Sequence, residues 1–484
     1  MASEAGSVLD DGIRRIRTEL GLPSGFPPEA AMGAVVAARK PLGSRVDRTD
    51  RPFVTLDPAD AIDLDQAFTI ERAGGDLLLH YAIADVSAFV EPGDAVDQEA
   101  WKRGVTVYLP DQKARLYPAA LSEGAASLLP DGPRPAVVFT VRIDGAGDVR
   151  LDGAERALIK SRAKLAYDTV RNDDLPDGFD ELSVRIEAAE DRRGAPRVEF
   201  PDQELEHVNG AWVLRIGARL ETEDQNAAMS LAANLAVADA LLAAGTGLFR
   251  VMAEPGARSI ERLRHTANAF GLAWPKGQSL ADFRRTLDRT DPRANAFLIA
   301  VRRAGGGASY QALAAAAGGS ADTSDGVAGD GGVVAHGDVG DGGPPWHSAM
   351  AATYAHATAP LRRLADRYVV DAAVAVVAGR PVDEHVVAAF GALPKVMAQA
   401  EAVANRADRA VIELAEAVIM TGREHEVFDA VVVDEDRHGT LVQLVDPAVL
   451  AHVPAHHVNP GDRIRVRLVA VDVTARRIEL TRVG

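Results

Sequence analysis

The chain contains no cysteine. That absence excludes disulfides, zinc ribbons, thiol catalysis and iron–sulfur clusters, and a reducing, cytoplasmic address is the expected one. Aromatic residues are scarce, 5% of the 484 positions, so a long track of stacking rings is not expected. Positive charge is in deficit: 53 Lys and Arg stand against 70 Asp and Glu, a formal charge of −17. A wholly basic nucleic-acid coat is excluded, whereas a local basic channel is not, because binding follows the local field. Long apolar runs are missing too. The longest, Ser230–Gly245, contains Asn234 and Asp239 and reads as too short and too polar to span a membrane. Met1–Asp11 has neither the basic start nor the apolar core of a secretory leader.

The remaining composition, 47% hydrophobic and 25% charged, is that of a globular protein, with length for two to four domains. Residues 1–49 read as a helical and basic N-terminal segment. Ile13, Ile16 and Leu20 recur at helical spacing and Gly21-Leu22-Pro23 stops them. The basic group Arg39, Lys40, Arg45, Arg48 and Arg51 reads as a solvated linker or as an RNA-facing edge. Residues 50–422 form the main domain. Leu77–Val86 and Val137–Ile143 are strand-like. Asp224 to about Arg250 reads as one long helix, and helix resumes near Ser348. Between them, residues 318–345 are crowded with Gly and Asp, which predicts a flexible insertion. Residues 423–484 carry four short alternating runs, Glu426–Val433, Thr440–Val445, Arg463–Val471 and Arg477–Thr481, which suit a small OB-type barrel. In the third run Arg463, Arg465 and Arg467 alternate with Ile464, Val466 and Leu468. One face should pack inward and the other present a row of guanidinium groups. The class expected is α+β.

The most informative stretch runs from Thr55 to Ala67 and holds four Asp within nine residues: Asp57, Asp60, Asp63 and Asp65. Asp63 and Asp65 are two apart and point the same way in extended chain. Asp57 can return to that point if Pro58–Ile62 loops. Converging carboxylates repel one another unless a cation lies between them, and Mg²⁺ is the natural hard ion for carboxylate oxygens and a substrate phosphate. A solvated acidic loop is the plain alternative. An EF-hand loop fails, because Ile62 and Leu64 stand where oxygen donors are needed.

This segment resembles the RNB domain of the RNase II/R family of exoribonucleases, whose motif orders four Asp as D-x5-D-x-D-D; Asp57, Asp63 and Asp65 match the first three. The likeness continues through His80–Ser87, Val90–Gly93, Arg103–Pro110, Leu121-Ser122 and Ser161–Tyr167, and returns most strongly at Tyr354–Asp366. The terminal barrel looks like the family's S1 domain. The resemblance implies a mixed α/β RNB domain with a narrow channel, and hydrolytic 3′→5′ degradation of single-stranded RNA to nucleoside 5′-monophosphates with Mg²⁺, or Mn²⁺ in its place. It implies that Asp57, Asp63 and Asp65 hold metal, with Asp63 and Asp65 catalytic and Asp65 decisive. It also implies that Arg362 acts on the scissile phosphate, and that Tyr108 and Tyr167 flank the RNA 3′ end. Arg363, with Arg463, Arg465 and Arg467 of the barrel, is expected on RNA. Pro360 suggests that the helix carrying Arg362 starts near Thr358–Pro360. A monomer without a membrane partner is expected.

Two departures from the family pattern matter. The fourth Asp is Gln66, whose oxygen can still ligate but without charge. Where the family has a Glu that reads the terminal ribose, Asn226 stands here. About 50 residues precede the motif, too few for the family's paired cold-shock domains, so weak, salt-sensitive RNA binding is expected. The competing expectations are a catalytically silent RNA-binding relative and a phosphodiesterase restricted to short oligonucleotides.

Overall fold

The computed structural model describes residues 2–483 apart from 196–201, 209–210, 218–219, 289–290, 305–306, 314–343, 437–438, 448, 455–457 and 459–461. Most of the Gly/Asp-rich insertion therefore lies outside the described residues. Helix α1 (Ala2–Glu19) buries Leu9, Ile13 and Ile16 on one side, as their spacing requires. Gly21, at φ +63°, turns the chain so that Leu22 N–H reaches Arg17 O at 2.9 Å. Helix α2 (Pro28–Ala37) starts on a proline. Three members of the basic group that follows are held in ion pairs. Arg45 pairs with Asp85 at 2.8 Å and Arg48 with Glu155 at 2.7 Å, while Lys40 meets Glu91 at 2.9 Å.

The main domain is built on seven strands: β1 (Val46–Asp47), β2 (Val54–Asp57), β3 (Gln66–Ala73), β4 (Asp76–Ala84), then helix α3 (Ala95–Arg103), β5 (Arg134–Ile143), β6 (Val149–Ile159) and β7 (Ala163–Ala166). Their order is β1-β6-β5-β4-β3-β2-β7. The middle pairings are antiparallel, while β1 on β6 and β7 on β2 are parallel. β4 lies at the centre, and Leu79 to Ala84 are buried without alternation, the pattern of a strand covered on both faces.

Helix α4 (Phe179–Arg193), the hairpin β8 (Asp202–Val208) and β9 (Ala211–Gly217), and helix α5 (Glu221–Ala243) follow. The long helix expected to reach Arg250 is two elements. Gly245 (φ +69°) and Gly247 (φ +140°) turn the chain, and β10 (Gly247–Val251) begins. α5 is long and apolar enough to cross a membrane by length and composition, with a window of mean hydropathy 1.4. Here it packs on the sheet and buries Met229, Leu231, Leu235, Val237 and Leu241. Helices α6 (Ala257–Ala269), α7 (Leu280–Arg285) and α8 (Pro292–Ala304) share a satellite core in which Trp274 stacks on Phe283 at 4.9 Å. β11 (Ser309–Leu313) pairs with β10. Helices α9 (Leu364–Val377) and α10 (Glu384–Met420) close the domain; α10 passes the same membrane-length test and packs on α1, α9 and β11.

The helix expected to resume near Ser348 does not form. The chain to Arg363 is irregular, and α9 begins at Leu364 with Arg363 as an extended N-cap (φ −132°, ψ 123°). The reason is competition for backbone donors. Ala359 N–H bonds to Asp366 Oδ2 at 2.8 Å and Leu361 N–H to Asp65 Oδ1 at 2.7 Å. The Thr358–Arg363 segment is thereby held open rather than wound.

Gly104, at φ +69°, ends α3 where the chain meets α10; a Cβ there would lie 2.5 Å from Ala400 Cβ. Gly104→Ala is expected to lower stability by about 2–4 kcal/mol, through positive-φ strain and overpacking. Thermal unfolding of the two proteins side by side checks this, and an unchanged midpoint would refute it.

The C-terminal unit is a five-stranded antiparallel sheet that curls into a nearly closed barrel: β12 (Val427–Asp436), β13 (Gly439–Leu444), β14 (Leu450–Val453), β15 (Arg463–Asp472) and β16 (Arg477–Val483), in the order β14-β13-β12-β15-β16. The four-residue β14 leaves too little alternation for its sequence to announce it. Ile464, Val466 and Leu468 point into the barrel core while Arg463, Arg465 and Arg467 are exposed. Asp429 of β12 lies opposite Arg465 in register. His452 is on β14, whereas His456 and His457 lie outside the described residues.

Candidate active site

Sheet register gathers the acidic residues. β2 ends on Asp57 and β3 begins on Gln66, and the two strands are antiparallel with Val54 opposite Phe68. Carried three residues further, that register sets Asp57 against Asp65. Asp65 continues the sheet, since Ala84 N–H bonds to its carbonyl at 2.9 Å. β7 runs parallel to β2 with Ala166 beside Asp57, which places Tyr167 next to that carboxylate. Asp60 is exposed in the connecting loop.

The Arg362 segment crosses this end of the sheet. Asp65 is 4% exposed; its Oδ1 accepts from Leu361 N–H at 2.7 Å and its Oδ2 faces Arg362 Nε at 3.1 Å. A second chain segment runs antiparallel to Arg362 and Arg363: Thr106 N–H bonds to Arg362 O, and Leu364 N–H to Gly104 O, each at 2.9 Å. Val107 then pairs with Ala114, and this small hairpin sets Lys113 beside Tyr108. Tyr108 OH donates to Asp63 Oδ2 at 3.3 Å, and Lys113 Nζ lies 2.6 Å from Asp63 Oδ1.

On the far side, α5 supplies Asn226, whose Nδ2 donates to Tyr167 OH at 2.8 Å, and Thr222, whose hydroxyl donates to Tyr167 O at 2.9 Å. A cavity of about 990 Å³ opens here, lined among others by Asp57, Gln66, Tyr167, Asn226 and Arg362. The part of its lining drawn from α4 and α5 includes Asp180, Glu221 and Asp224. Attraction for a polyanion therefore rests on Arg362 and any bound cation.

Gln66 is held from both ends of its amide. Nε2 donates to Thr358 O at 2.6 Å; Oε1 accepts from Tyr81 OH at 2.8 Å, and Tyr81 OH also meets Ser230 Oγ at 2.7 Å. A carboxylate at this position would face the Thr358 carbonyl with no hydrogen to give. The amide thus anchors the Thr358–Arg362 segment to β3.

Burial pushes the Asp57 carboxyl up to about 6 and that of Asp65 up to about 7. The Asp63 charge adds to the rise at Asp57; Arg362 opposes both, and Lys113 and Lys164 also oppose it at Asp57. A buried carboxylate beside a half-buried one is the chemistry that a hard divalent cation answers. Among the described residues no three acidic or histidine side chains already form a metal cage; Asp63 is turned to Lys113. The Asp57 carboxylate accepts no hydrogen bond from the described residues, so Asp57 and Asp65 form the donor pair that fits such an ion.

Sequence reasoning missed Lys113, Thr358, Tyr81 and Ser230. Lys113 stands three residues past Pro110, just outside the Arg103–Pro110 likeness, and nothing local reveals a partner 50 residues away. Arg363 proves to be structural at its head group, with Asp366 accepting from Nε at 2.9 Å and Nη2 at 2.6 Å. It lines the cavity but is neutralised there. Arg367, one turn into α9, is buried against Asp97 at 2.7 Å.

Comparison with known proteins accounts for this arrangement. Residues 45–377 match the RNB domain and 426–483 the RNase II-type exonuclease C-terminal S1 domain. Ribonuclease R of Escherichia coli is 31% identical over 307 residues, 58% of this chain and 36% of that protein. Ribonuclease R of Thermotoga maritima is 38% identical over 160 residues, 32% of this chain and 22% of that protein. The match thus spans about a third or less of these relatives. Mycoplasma genitalium RNase R, solved with ribose-methylated single-stranded RNA, superposes with TM-score 0.82 at 17% identity, covering 97% of this chain and 77% of that one. Yeast Ssd1, a pseudonuclease, superposes with TM-score 0.68 at 18% identity, covering 97% of this chain and 58% of that one. The fold is therefore shared with a pseudonuclease as well as with RNase R, and the chain belongs to the RNB-domain family, with an RNase II-type S1 domain behind the RNB domain.

Proposed function

We propose that this protein is a hydrolytic 3′→5′ exoribonuclease that shortens single-stranded RNA to nucleoside 5′-monophosphates with a divalent cation, Mg²⁺ or Mn²⁺. The observation that carries the proposal is Asp65: buried, bonded to Leu361 N–H and facing Arg362 Nε at 3.1 Å across nearly 300 residues of chain. Acid and guanidinium held together at a cavity are what phosphodiester hydrolysis requires. Water adds to phosphorus, the bond to the preceding O3′ breaks, and the extra negative charge must be met. A divalent ion bound at Asp57 and Asp65 would supply Lewis acidity and activate that water.

The chain's own residues do the rest. Arg362 offers a fork of donors for non-bridging phosphate oxygens. Tyr167 gives a face for the terminal base. Asn226 spends Nδ2 on Tyr167 OH, which leaves Oδ1 to accept from a ribose hydroxyl, and this supports a preference for RNA over DNA. The barrel arginines Arg463, Arg465 and Arg467 grip backbone phosphates upstream.

A time course on 5′-labelled single-stranded RNA with Mg²⁺ or Mn²⁺, beside the matching DNA, tests this reading. Mononucleotide release from the 3′ end supports it; RNA binding without turnover would identify a silent relative. For the barrel, log affinity is expected to fall by about 0.7 per contacted phosphate per log unit of salt. Replacing all three barrel arginines by Gln should then flatten the slope by about 2, read by fluorescence anisotropy over a KCl series. An unchanged slope would remove the barrel from the RNA path.

A further inference from the structure

Nucleases that use two metal ions pair them at short range to hold the attacking and leaving oxygens. Such a pair needs carboxylate oxygens free to bridge them. The candidate site offers few. Both Asp63 oxygens are engaged, Oδ1 by Lys113 Nζ at 2.6 Å and Oδ2 by Tyr108 OH at 3.3 Å. Gln66 has its amide oxygen on Tyr81 OH and its amide nitrogen on Thr358 O. Asp65 shares its oxygens with Leu361 N–H and Arg362. Only the Asp57 carboxylate accepts no hydrogen bond from the described residues.

Charge points the same way. Asp57, Asp63 and Asp65 face the resident cations Lys113 and Arg362, and Lys164 adds its charge at Asp57. Three carboxylates are thus matched by three cations before any metal binds. One divalent ion already makes the set positive, and a second would leave it strongly positive and set beside a lysine ammonium.

We propose that the site holds one divalent ion, on Asp57 and Asp65, and that Lys113 stands at Asp63 in place of a second. This rests on the nuclease reading and deepens it. Lys113 is fixed there by the hairpin that pairs Val107 with Ala114, with its ammonium 5.2 Å from the Tyr108 ring centre. An ammonium has three donors. Asp63 takes one and the other two remain for phosphate oxygens, where a second metal would otherwise act.

The experiment is an electron paramagnetic resonance titration of the full chain with Mn²⁺ alone, at pH 8, counting bound ions. The wild type is expected to bind one saturably, Asp63→Asn still one, and Asp57→Asn none. Lys113→Met, which frees Asp63, is expected to bind two. If that variant fails to fold by circular dichroism, Lys113→Gln takes its place, and Lys113→Arg, which keeps the charge, should restore the count of one. Two ions in the wild type, falling to one in Asp63→Asn, would overturn the inference. So would a count of one that Lys113→Met and Lys113→Gln both leave unchanged. An RNA-degradation assay on the same samples separates the two readings. Two ions with full degradation removes the inference and leaves the nuclease standing. One ion with no degradation removes the nuclease and leaves the one-ion site. No bound ion in the wild type removes both.

Discussion

Asp65→Asn is expected to lower RNA hydrolysis on the order of 10³-fold while leaving RNA affinity close to that of the wild type. The substitution is nearly isosteric. The side-chain oxygen can still accept from Leu361 N–H, as Oδ1 does now at 2.7 Å, so the Arg362 segment should keep its place. What disappears is the negative charge that faces Arg362 Nε at 3.1 Å and that would hold the cation. Asp60→Asn is the matched control, because Asp60 is exposed in the same loop and takes no part in the site; its rate should not change. Single-turnover rates with excess enzyme, beside anisotropy titrations with RNA, separate the chemical step from binding. A rate within about tenfold of the wild type, a loss of less than ~1.4 kcal/mol, would remove Asp65 from the centre of the chemistry.

The second large effect is a pH-linked loss of metal affinity. Burial raises Asp65 to about 7 and Asp57 to about 6, so in the metal-free protein both carry protons well above the usual carboxylate range. A cation must displace those protons, and its affinity falls as they become harder to remove. With both groups titrating, affinity at pH 6 should be about 20-fold below that at pH 8. The sign for stability is the reverse. A raised carboxyl stabilises the folded, metal-free protein fully below the unfolded value near 3.8, and that contribution is lost as pH rises through 6 to 7. Added Mg²⁺ should therefore raise the thermal midpoint more at pH 8 than at pH 6. Isothermal titration with Mg²⁺ at the two pH values, together with melting curves, measures both effects. Equal affinities would mean that Asp57 and Asp65 are already ionised without metal.

Much of the site was legible because its chemistry is written in short spacings. Asp57, Asp63 and Asp65 within nine residues announce a carboxylate cluster, and strand alternation at Arg463, Arg465 and Arg467 announces an arginine face. The α1 stripe, β4 and most of the barrel were readable for the same reason, since each follows from a local period. The errors came where local signals met long-range demands. Pro360 argues for a helix start, yet the backbone donors there are taken by Asp65 and Asp366, and the helix waits until Leu364. The Ala/Leu-rich run from Asp224 has no local sign that it must become a strand after Gly245; pairing of β10 with β11 requires it.

By itself, then, the sequence determined the kinds of group at the site and the order in which the chain delivers them. It did not determine who pairs with whom. Arg362 reaches Asp65, Gln66 turns its amide to Thr358, and Lys113 claims Asp63, all through contacts made only when the sheet sets β2 against β3 and the Gly104–Arg362 segments run antiparallel. Spacing along a chain specifies direction over a few residues. The partner of a buried charge is chosen by the folded neighbourhood, where desolvation makes each unpaired group costly and the nearest opposite charge or donor takes the place.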